Sequence, residues 1–188
     1  GFIVQSQLRN GLAGNVTSAI DAINLEKLEV IKGPSATLYG SALTSYGGLI
    51  NRVTKKPYET AGGEVTVAAG SYAFGRVSAD VNTPLNQSRT LLLRVNSAFT
   101  HQGTFQTEGF SRSGALAPSL LFRPNDRLTV TLDAELYRSR NVVPQILFFY
   151  VPGSTLGATR ADRLNVDYRN AYMGGGLSQA SRSTNLFA

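Results

Sequence analysis

The sequence contains no cysteine, no tryptophan and a single histidine, His101, in 188 residues. The absence of cysteine excludes disulfide bonds and thiolate metal sites. One histidine excludes a zinc or non-haem iron site built from several histidines of this chain. The sequence also lacks an apolar run of the roughly 18 residues that a membrane-spanning helix requires. A membrane-spanning strand needs only about ten alternating residues, so a membrane protein is not excluded.

Acidic residues are few, with 12 of them against 18 basic residues and a formal charge of +6. A basic excess is typical of nucleic-acid-binding domains. Here the positive charges are scattered, and the only close cluster is Lys55-Lys56. We therefore expect no nucleic-acid partner.

Candidate catalytic residues are equally sparse. His101 has no serine elbow near it. Asp133 and Glu135 share one face of a strand, which is compatible with a glycosidase pair but is also common on the inner wall of a β-barrel. The glycine pairs and triplets lack the lysine and spacing of a phosphate loop. We expect neither an enzyme nor a resident metal or cofactor.

One stretch, residues 25–57, carries a distinctive pattern. Leu28, Val30 and Ile31 alternate with charged residues and predict a short strand. Gly33-Pro34 ends that strand, and the next five residues suit about one helical turn. A loop of small residues follows, and a second strand is predicted up to Thr54.

This stretch resembles the end of the plug domain in TonB-dependent outer-membrane receptors, in particular the siderophore-receptor branch. The hairpin motif Arg9-Asn10-Gly11-Leu12 extends the resemblance, because Asn-Gly favours positive φ at both central positions of a turn. Thr44-Ser45-Tyr46 and Arg52 depart from the family pattern. The matching residues are Leu25, Glu26, Leu28, Glu29, Val30, Lys32, Gly33, Pro34, Leu38, Tyr39, Gly40, Gly47, Gly48, Ile50, Asn51, Val53, Thr54, Lys55, Lys56 and Pro57.

From residue 63 onward the pattern changes to long strands with a period of two. Five are predicted, at 64–71, 75–83, 89–100, 113–123 and 127–139, and a sixth begins near Ser181. Pro118 inside the fourth predicts an edge strand or a bulge there. The long connection at 140–180 contrasts with short turns after the second and fourth strands, as in outer-membrane barrels.

The predicted fold class is an α+β plug fragment followed by antiparallel transmembrane β-barrel strands. Residues 1–60 are the C-terminal part of the plug, and residues 61–188 are the first five or six strands of a barrel that has 22 strands in the family. Alternation alone also fits a soluble barrel or sandwich with its apolar face inward. Without an initiator Met or signal peptide, we expect the chain to be part of a longer protein.

The transmembrane reading places charged residues of both signs on the inner wall of the barrel. They are Arg76, Asp80, Arg94, Asp133 and Glu135. These residues either pair with plug charges or only hold water. The candidate plug partners are Arg9, Glu26, Lys32 and Arg52.

The resemblance implies active import of a ferric siderophore across the outer membrane of a Gram-negative bacterium. The implied partners are TonB with ExbB and ExbD, through an N-terminal part not included here, and outer-membrane lipid. A receptor for cobalamin, a glycan or another nutrient is the first alternative. A non-transporting porin or adhesin is the second.

Aromatic side chains are the candidate ligand contacts. Tyr39 occupies the position of the family's plug-apex tyrosine, and packing in the plug core is its other interpretation. Tyr46 in the unusual loop is a second apex candidate. The long connection adds Phe148, Phe149, Tyr150 and Tyr172, together with Tyr168, Arg160, Arg163 and Arg169, which suit a large anionic chelate.

Overall fold

A computed structural model describes residues 7–13, 21–32, 49–142, 169 and 178–187. These residues form two sheets and one short 3-10 helix. The described ranges contain no α-helix. The small sheet consists of β1 (Gln7–Arg9), β2 (Leu12–Ala13), β3 (Leu25–Ile31) and β4 (Leu49–Thr54). The 3-10 turn, Ala22–Asn24, leads into β3. The helical turn predicted just after Gly33-Pro34 lies outside the described residues.

The small sheet has the strand order β2-β1-β4-β3, in which β1 and β4 are parallel and the other pairs are antiparallel. The predicted Asn10-Gly11 turn joins β1 to β2, with φ of 50° at Asn10 and 80° at Gly11. The Asn10 side chain holds the end of β4, because its Oδ1 accepts from the Thr54 amide at 3.0 Å. One motif therefore both reverses the chain and fixes the neighbouring strand.

The large sheet contains six consecutive antiparallel strands in the order β10-β9-β8-β7-β6-β5. They are β5 (Gly62–Gly70), β6 (Phe74–Pro84), β7 (Leu91–Gly103), β8 (Phe110–Asn125), β9 (Leu128–Val142) and β10 (Gln179–Phe187). All five complete strands and the start of the sixth were predicted from the alternating pattern. The observed strands extend the predictions by one to three residues at most ends.

The two faces of the large sheet have opposite character. The inner face packs on the small sheet and buries polar side chains, including Ser78, Asn82, Asn96, Ser119 and Glu135. The outer face is apolar and exposed. Its large exposed side chains include Val65, Val67, Val77, Val81, Phe99, Leu116, Phe122, Leu128, Val130, Leu132, Leu136 and Leu186. The alternative with an inward apolar face therefore does not describe this sheet.

Pro118 corrects one detail of the prediction. It lies in β8, between β7 and β9, and not in an edge strand, and the only register shift against β9 falls between Phe122 and Asn125. Pro118 aligns with Val95 of β7, while the ladder to β9 has a gap at residues 117 and 118. The missing N–H of proline is accommodated by that gap, because no ladder bond is required of it there.

Among the residues that the structure describes, no helix has the length and hydropathy to cross a bilayer.

Candidate functional site

The candidate site is the interface between the small sheet and the inner face of the large sheet. Both sides contribute charged and amide side chains. The large sheet also buries Leu92, Ala98 and Ala117 on this side, whereas its large exposed apolar side chains point away from the interface. A protein core of this size is ordinarily apolar, and buried charges are normally paired. The charged side chains at this interface therefore need partners across it, and those partners fix how one sheet sits on the other.

Arg9 of β1 meets two carboxylates of β9. Its Nη2 lies 3.0 Å from Glu135 Oε1 and 3.4 Å from Asp133 Oδ2, and its side chain is only 8% exposed. Asn24 donates a further hydrogen bond to Glu135 Oε1 at 2.9 Å, and Ser119 donates to Asp133 Oδ1 at 2.6 Å. These two carboxylates are thus engaged in structural bonds, which does not favour the glycosidase interpretation.

The Arg9 guanidinium also stacks on an aromatic ring. Its central carbon lies 3.7 Å from the ring centroid of Phe187 on β10. A planar guanidinium suits both the carboxylate contact and the ring face, which a lysine ammonium does not. Arg9 therefore joins β1 to both β9 and β10.

Asp21 and Arg76 form a second contact, a bidentate salt bridge. Arg76 Nη2 donates to Asp21 Oδ1 at 2.6 Å and Nη1 donates to Oδ2 at 3.0 Å. Asp21 also caps the 3-10 turn by accepting from the Ile23 amide at 2.9 Å. Burial alone raises the pKa of Asp21, but the hydrogen bonds from Arg76 and Ile23 outweigh it, and the pKa is lowered below 3.8.

Asp80 of β6 is the centre of a third cluster. Arg94 donates to both of its carboxylate oxygens, at 2.9 and 2.8 Å, and Lys55 Nζ donates to Oδ2 at 2.8 Å. Arg94 Nη1 also donates to the Lys56 carbonyl at 2.9 Å. Two cations share one carboxylate here, and the negative charge of Glu26 also acts on Arg94.

The connection between the sheets, residues 55–61, is held on β6 by the side-chain amide of Asn82 in addition to the Lys55–Asp80 contact. Asn82 is 2% exposed. Its Nδ2 donates to the Tyr58 and Thr60 carbonyls, both at 2.7 Å, and its Oδ1 accepts from the Tyr58 amide at 3.0 Å. The chain therefore enters β5 along a fixed path.

The predicted pairing of plug and wall charges is confirmed for Arg9 but not for the other three plug candidates. Glu26, Lys32 and Arg52 form no salt bridge with any residue in the described ranges. Asp21 and Lys55, which sequence reasoning missed, take that role. Lys55 directly follows a predicted strand, which is a weak local signal, whereas Asp21 lies four residues before the next predicted strand and had none.

The predicted ligand-contacting residues, Tyr39, Tyr46, Phe148, Phe149, Tyr150 and Tyr172, lie outside the described residues, as do Arg160, Arg163 and Tyr168. Arg169 is described, and its carbonyl accepts from the Thr107 amide at 2.8 Å and from the Thr107 hydroxyl at 3.1 Å. The long β9–β10 connection therefore touches the β7–β8 loop. The described residues contain no cluster of three or more His, Cys, Asp or Glu able to hold a metal ion.

No model of a known protein family matches the sequence. Individual proteins do. The metal-pseudopaline receptor CntO of Pseudomonas aeruginosa is 33% identical over 125 residues, which cover 66% of this chain and 17% of that protein. The probable TonB-dependent receptor BfrD of Bordetella pertussis is 33% identical over 164 residues, which cover 87% of this chain and 21% of that protein.

A solved structure shows the same fold. The outer-membrane ferripyoverdine receptor of Pseudomonas aeruginosa, bound to ferripyoverdine, superposes with a TM-score of 0.68 and 26% identity, over 75% of this chain and 20% of that chain. The chain spans about a fifth of the length of the relatives it matches, 17% and 21% for the two named above. On this similarity of sequence and fold, the chain belongs to the TonB-dependent receptors.

Proposed function

We propose that this chain is the end of the plug and the start of the barrel of a receptor that imports ferric siderophores across the outer membrane of a Gram-negative bacterium. The observation that carries the proposal is the inverted polarity of the large sheet, whose charged face is covered and whose apolar face is exposed. Water does not favour such a face, but the hydrocarbon core of a membrane does.

The division into plug and barrel follows the two sheets. The small sheet ends with β4 at Thr54, and the large sheet begins with β5 at Gly62. Residues 1–60 then form part of the plug, and residues 61–188 contribute strands to a barrel of 22. Consecutive antiparallel order in all six strands supports an up-and-down barrel.

The polar interface suits a plug that has to rearrange. Separating two apolar surfaces costs about 25 cal/mol for each Å² returned to water. Separating ion pairs and amides lets water solvate both partners, so the cost is much smaller. We infer that force from TonB, with its partners ExbB and ExbD, shifts the plug by breaking such contacts one cluster at a time.

The ligand proposal is supported by the relatives. Their names include receptors for ferrioxamine B and catecholate siderophores, and a ferrichrome transporter. The aromatic and arginine residues predicted to contact ligand suit an anionic iron chelate. The name of the metal-pseudopaline receptor makes a chelate of another metal the second candidate.

The test is uptake by cells under iron limitation. Deletion of the gene should abolish accumulation of at least one radiolabelled ferric chelate from a panel of hydroxamate, catecholate and mixed siderophores. The intact gene should restore it, and a protonophore should suppress it. The same panel loaded with nickel, zinc or cobalt separates the two ligand candidates.

Unchanged uptake of every chelate after deletion would contradict the proposal. A protein that remains monomeric in buffer without detergent would contradict its membrane placement. The second measurement does not depend on having chosen the right siderophore.

A further inference from the structure

Four arginines interrupt the apolar outer face of the large sheet. Arg112 lies on β8, Arg138 and Arg140 on β9, and Arg182 on β10. Successive side chains of a strand point to opposite faces of the sheet. Glu135 faces the small sheet, so Arg138 and Arg140 point to the outer face with Leu136. Strand pairing puts Arg112 and Arg182 on the same face. All four side chains are exposed.

The register places these like charges directly opposite one another. Arg112 aligns with Arg140, and Arg138 aligns with Arg182. Like charges at directly opposed positions destabilise an antiparallel pair. Within the described ranges none of the four forms a salt bridge, whereas Arg9, Arg76 and Arg94 of the inner interface all do.

The hydrogen bonds of these arginines leave their charge uncompensated. Arg112 Nε donates to His101 Nδ1 at 3.1 Å, and Arg140 Nε donates to Ser178 Oγ at 3.0 Å. Neither acceptor belongs to a carboxylate. Two opposed pairs of cations without a described counter-ion point to a polyanionic ligand.

The four arginines surround an open groove of ≈ 480 Å³, which we call the arginine groove. Phe99, Gly114 and Ala180 line its apolar part. Gly114 lies opposite both Phe99 and Arg138, and a methyl group at Gly114 would meet nothing within 4 Å. The missing side chain thus keeps the apolar part of the groove open.

The groove continues into the apolar face along the strands. Leu116 aligns with Leu136, and Leu120 aligns with Leu132, on the side away from the long β9–β10 connection. A ligand that used both features would carry anionic groups at one end and hydrocarbon at the other. A free anion would use only the arginines.

We propose that the arginine groove binds the phosphorylated head group of a lipid whose acyl chains lie against the apolar face. Guanidinium groups bind phosphate oxygens in pairs of parallel hydrogen bonds. The inference rests on the proposed placement in the membrane, which puts the groove at the rim that carries the long β9–β10 connection. The bound lipid would then belong to the outward-facing leaflet.

The experiment uses the full-length receptor purified in a neutral detergent. Phosphatidic acid and phosphatidylcholine with the same acyl chains are titrated separately, and retained lipid is counted by native mass spectrometry. The wild type should retain phosphatidic acid at least about tenfold more tightly than phosphatidylcholine. The double variant Arg138→Gln/Arg182→Gln should lose most of that preference.

The matched control is Arg89→Gln/Arg127→Gln, which removes two exposed arginines from turns at the opposite rim of the large sheet. It should retain phosphatidic acid as the wild type does. The proposal would be overturned if Arg138→Gln/Arg182→Gln retained phosphatidic acid as tightly as the wild type. It would also be overturned if the control variant lost the preference for phosphatidic acid to the same extent. Complete displacement of the lipid by inorganic phosphate at equal concentration would overturn the lipid assignment.

Failure of this inference is separable from failure of the proposed function. A receptor that imports its chelate but shows no preference for phosphatidic acid overturns the lipid site alone. The uptake of ferric chelates is measured in cells, and the lipid preference is measured on purified protein.

Discussion

Arg9 and Glu135 are separated by 126 positions in the sequence, yet Arg9 Nη2 lies 3.0 Å from Glu135 Oε1. Each side chain is only 8% exposed. The pair therefore links a three-residue strand of the small sheet to the middle of a strand in the large sheet. Buried pairs of this kind contribute little compared with an apolar contact, but removing one partner is costly.

The first prediction concerns that cost. Glu135→Ala leaves the buried Arg9 guanidinium with one carboxylate partner, Asp133, at 3.4 Å. We expect the small sheet to lose about 3 kcal/mol of stability. The chain has no cysteine, so a fluorophore on Leu12→Cys, at a residue 72% exposed, reports urea unfolding of the small sheet.

The control for this prediction is an exposed pair. Glu59→Ala breaks the contact between Glu59 and Arg123, whose side chains are 50% and 44% exposed. We expect a loss below about 1 kcal/mol. Equal losses in the two variants would show that burial of the Arg9 pair has no energetic consequence.

The second prediction concerns pH. The pKa of Asp21 is lowered in the folded protein, so its ionised form stabilises the fold above the ordinary value of 3.8, and that contribution is lost as the pH falls through the lower folded value. Asp21→Asn retains a side-chain oxygen for the cap of the 3-10 turn but removes the charge facing Arg76. The difference in Tm between wild type and variant should be constant from pH 7 to about pH 5 and vanish in stronger acid.

Asp126→Asn in the exposed β8–β9 turn is the matched variant, because Asp126 forms no salt bridge within the described ranges. The Tm difference between the wild type and Asp126→Asn should not show this dependence on pH. A wild-type advantage that persists below pH 2 would contradict the role assigned to the Asp21 charge.

The third prediction tests the turn between β1 and β2. Gly11 and Gly75 each have room for a methyl group, but only Gly11 has a positive φ, at 80°. Gly11→Ala should therefore cost about 1 kcal/mol in the small sheet, while Gly75→Ala should cost nothing. Urea unfolding of the Leu12→Cys reporter protein measures both, and a harmless Gly11→Ala would mean that the turn is not built as described.

The strands and the Asn10-Gly11 turn were predictable because their signals are local. Alternation in β7 and β9 is set by neighbouring residues, and Asn-Gly specifies a turn by its own backbone preferences. Which face of the sheet meets the small sheet was not decided by alternation. It followed from the length of the strands, the alternation of short and long connections and the family resemblance, and the burial of Asn96 and Glu135 agrees with it.

The charge partners across the interface were only partly predictable. Arg9 was identified, but Asp21 and Lys55 were not, because the choice depends on how one sheet sits on the other. The outer arginines were visible in the sequence, but their opposition depends on strand register. Arg138 faces Arg182 only because β10 returns in one particular alignment after the long connection.

The fourth prediction decides whether the outer face meets lipid. Leu132 lies within β9 and is 49% exposed, and Leu12 on the small sheet is 72% exposed. In water, replacing either leucine by arginine should change stability little, because neither side chain is fully buried. In a bilayer, Leu132→Arg should cost about 2 to 4 kcal/mol, since an arginine on the lipid face near the midplane is desolvated. Unfolding free energies of the full-length receptor in lipid vesicles measure the cost, with Leu12→Arg as the control. A cost for Leu132→Arg no greater than that for Leu12→Arg would mean that lipid does not cover the apolar face.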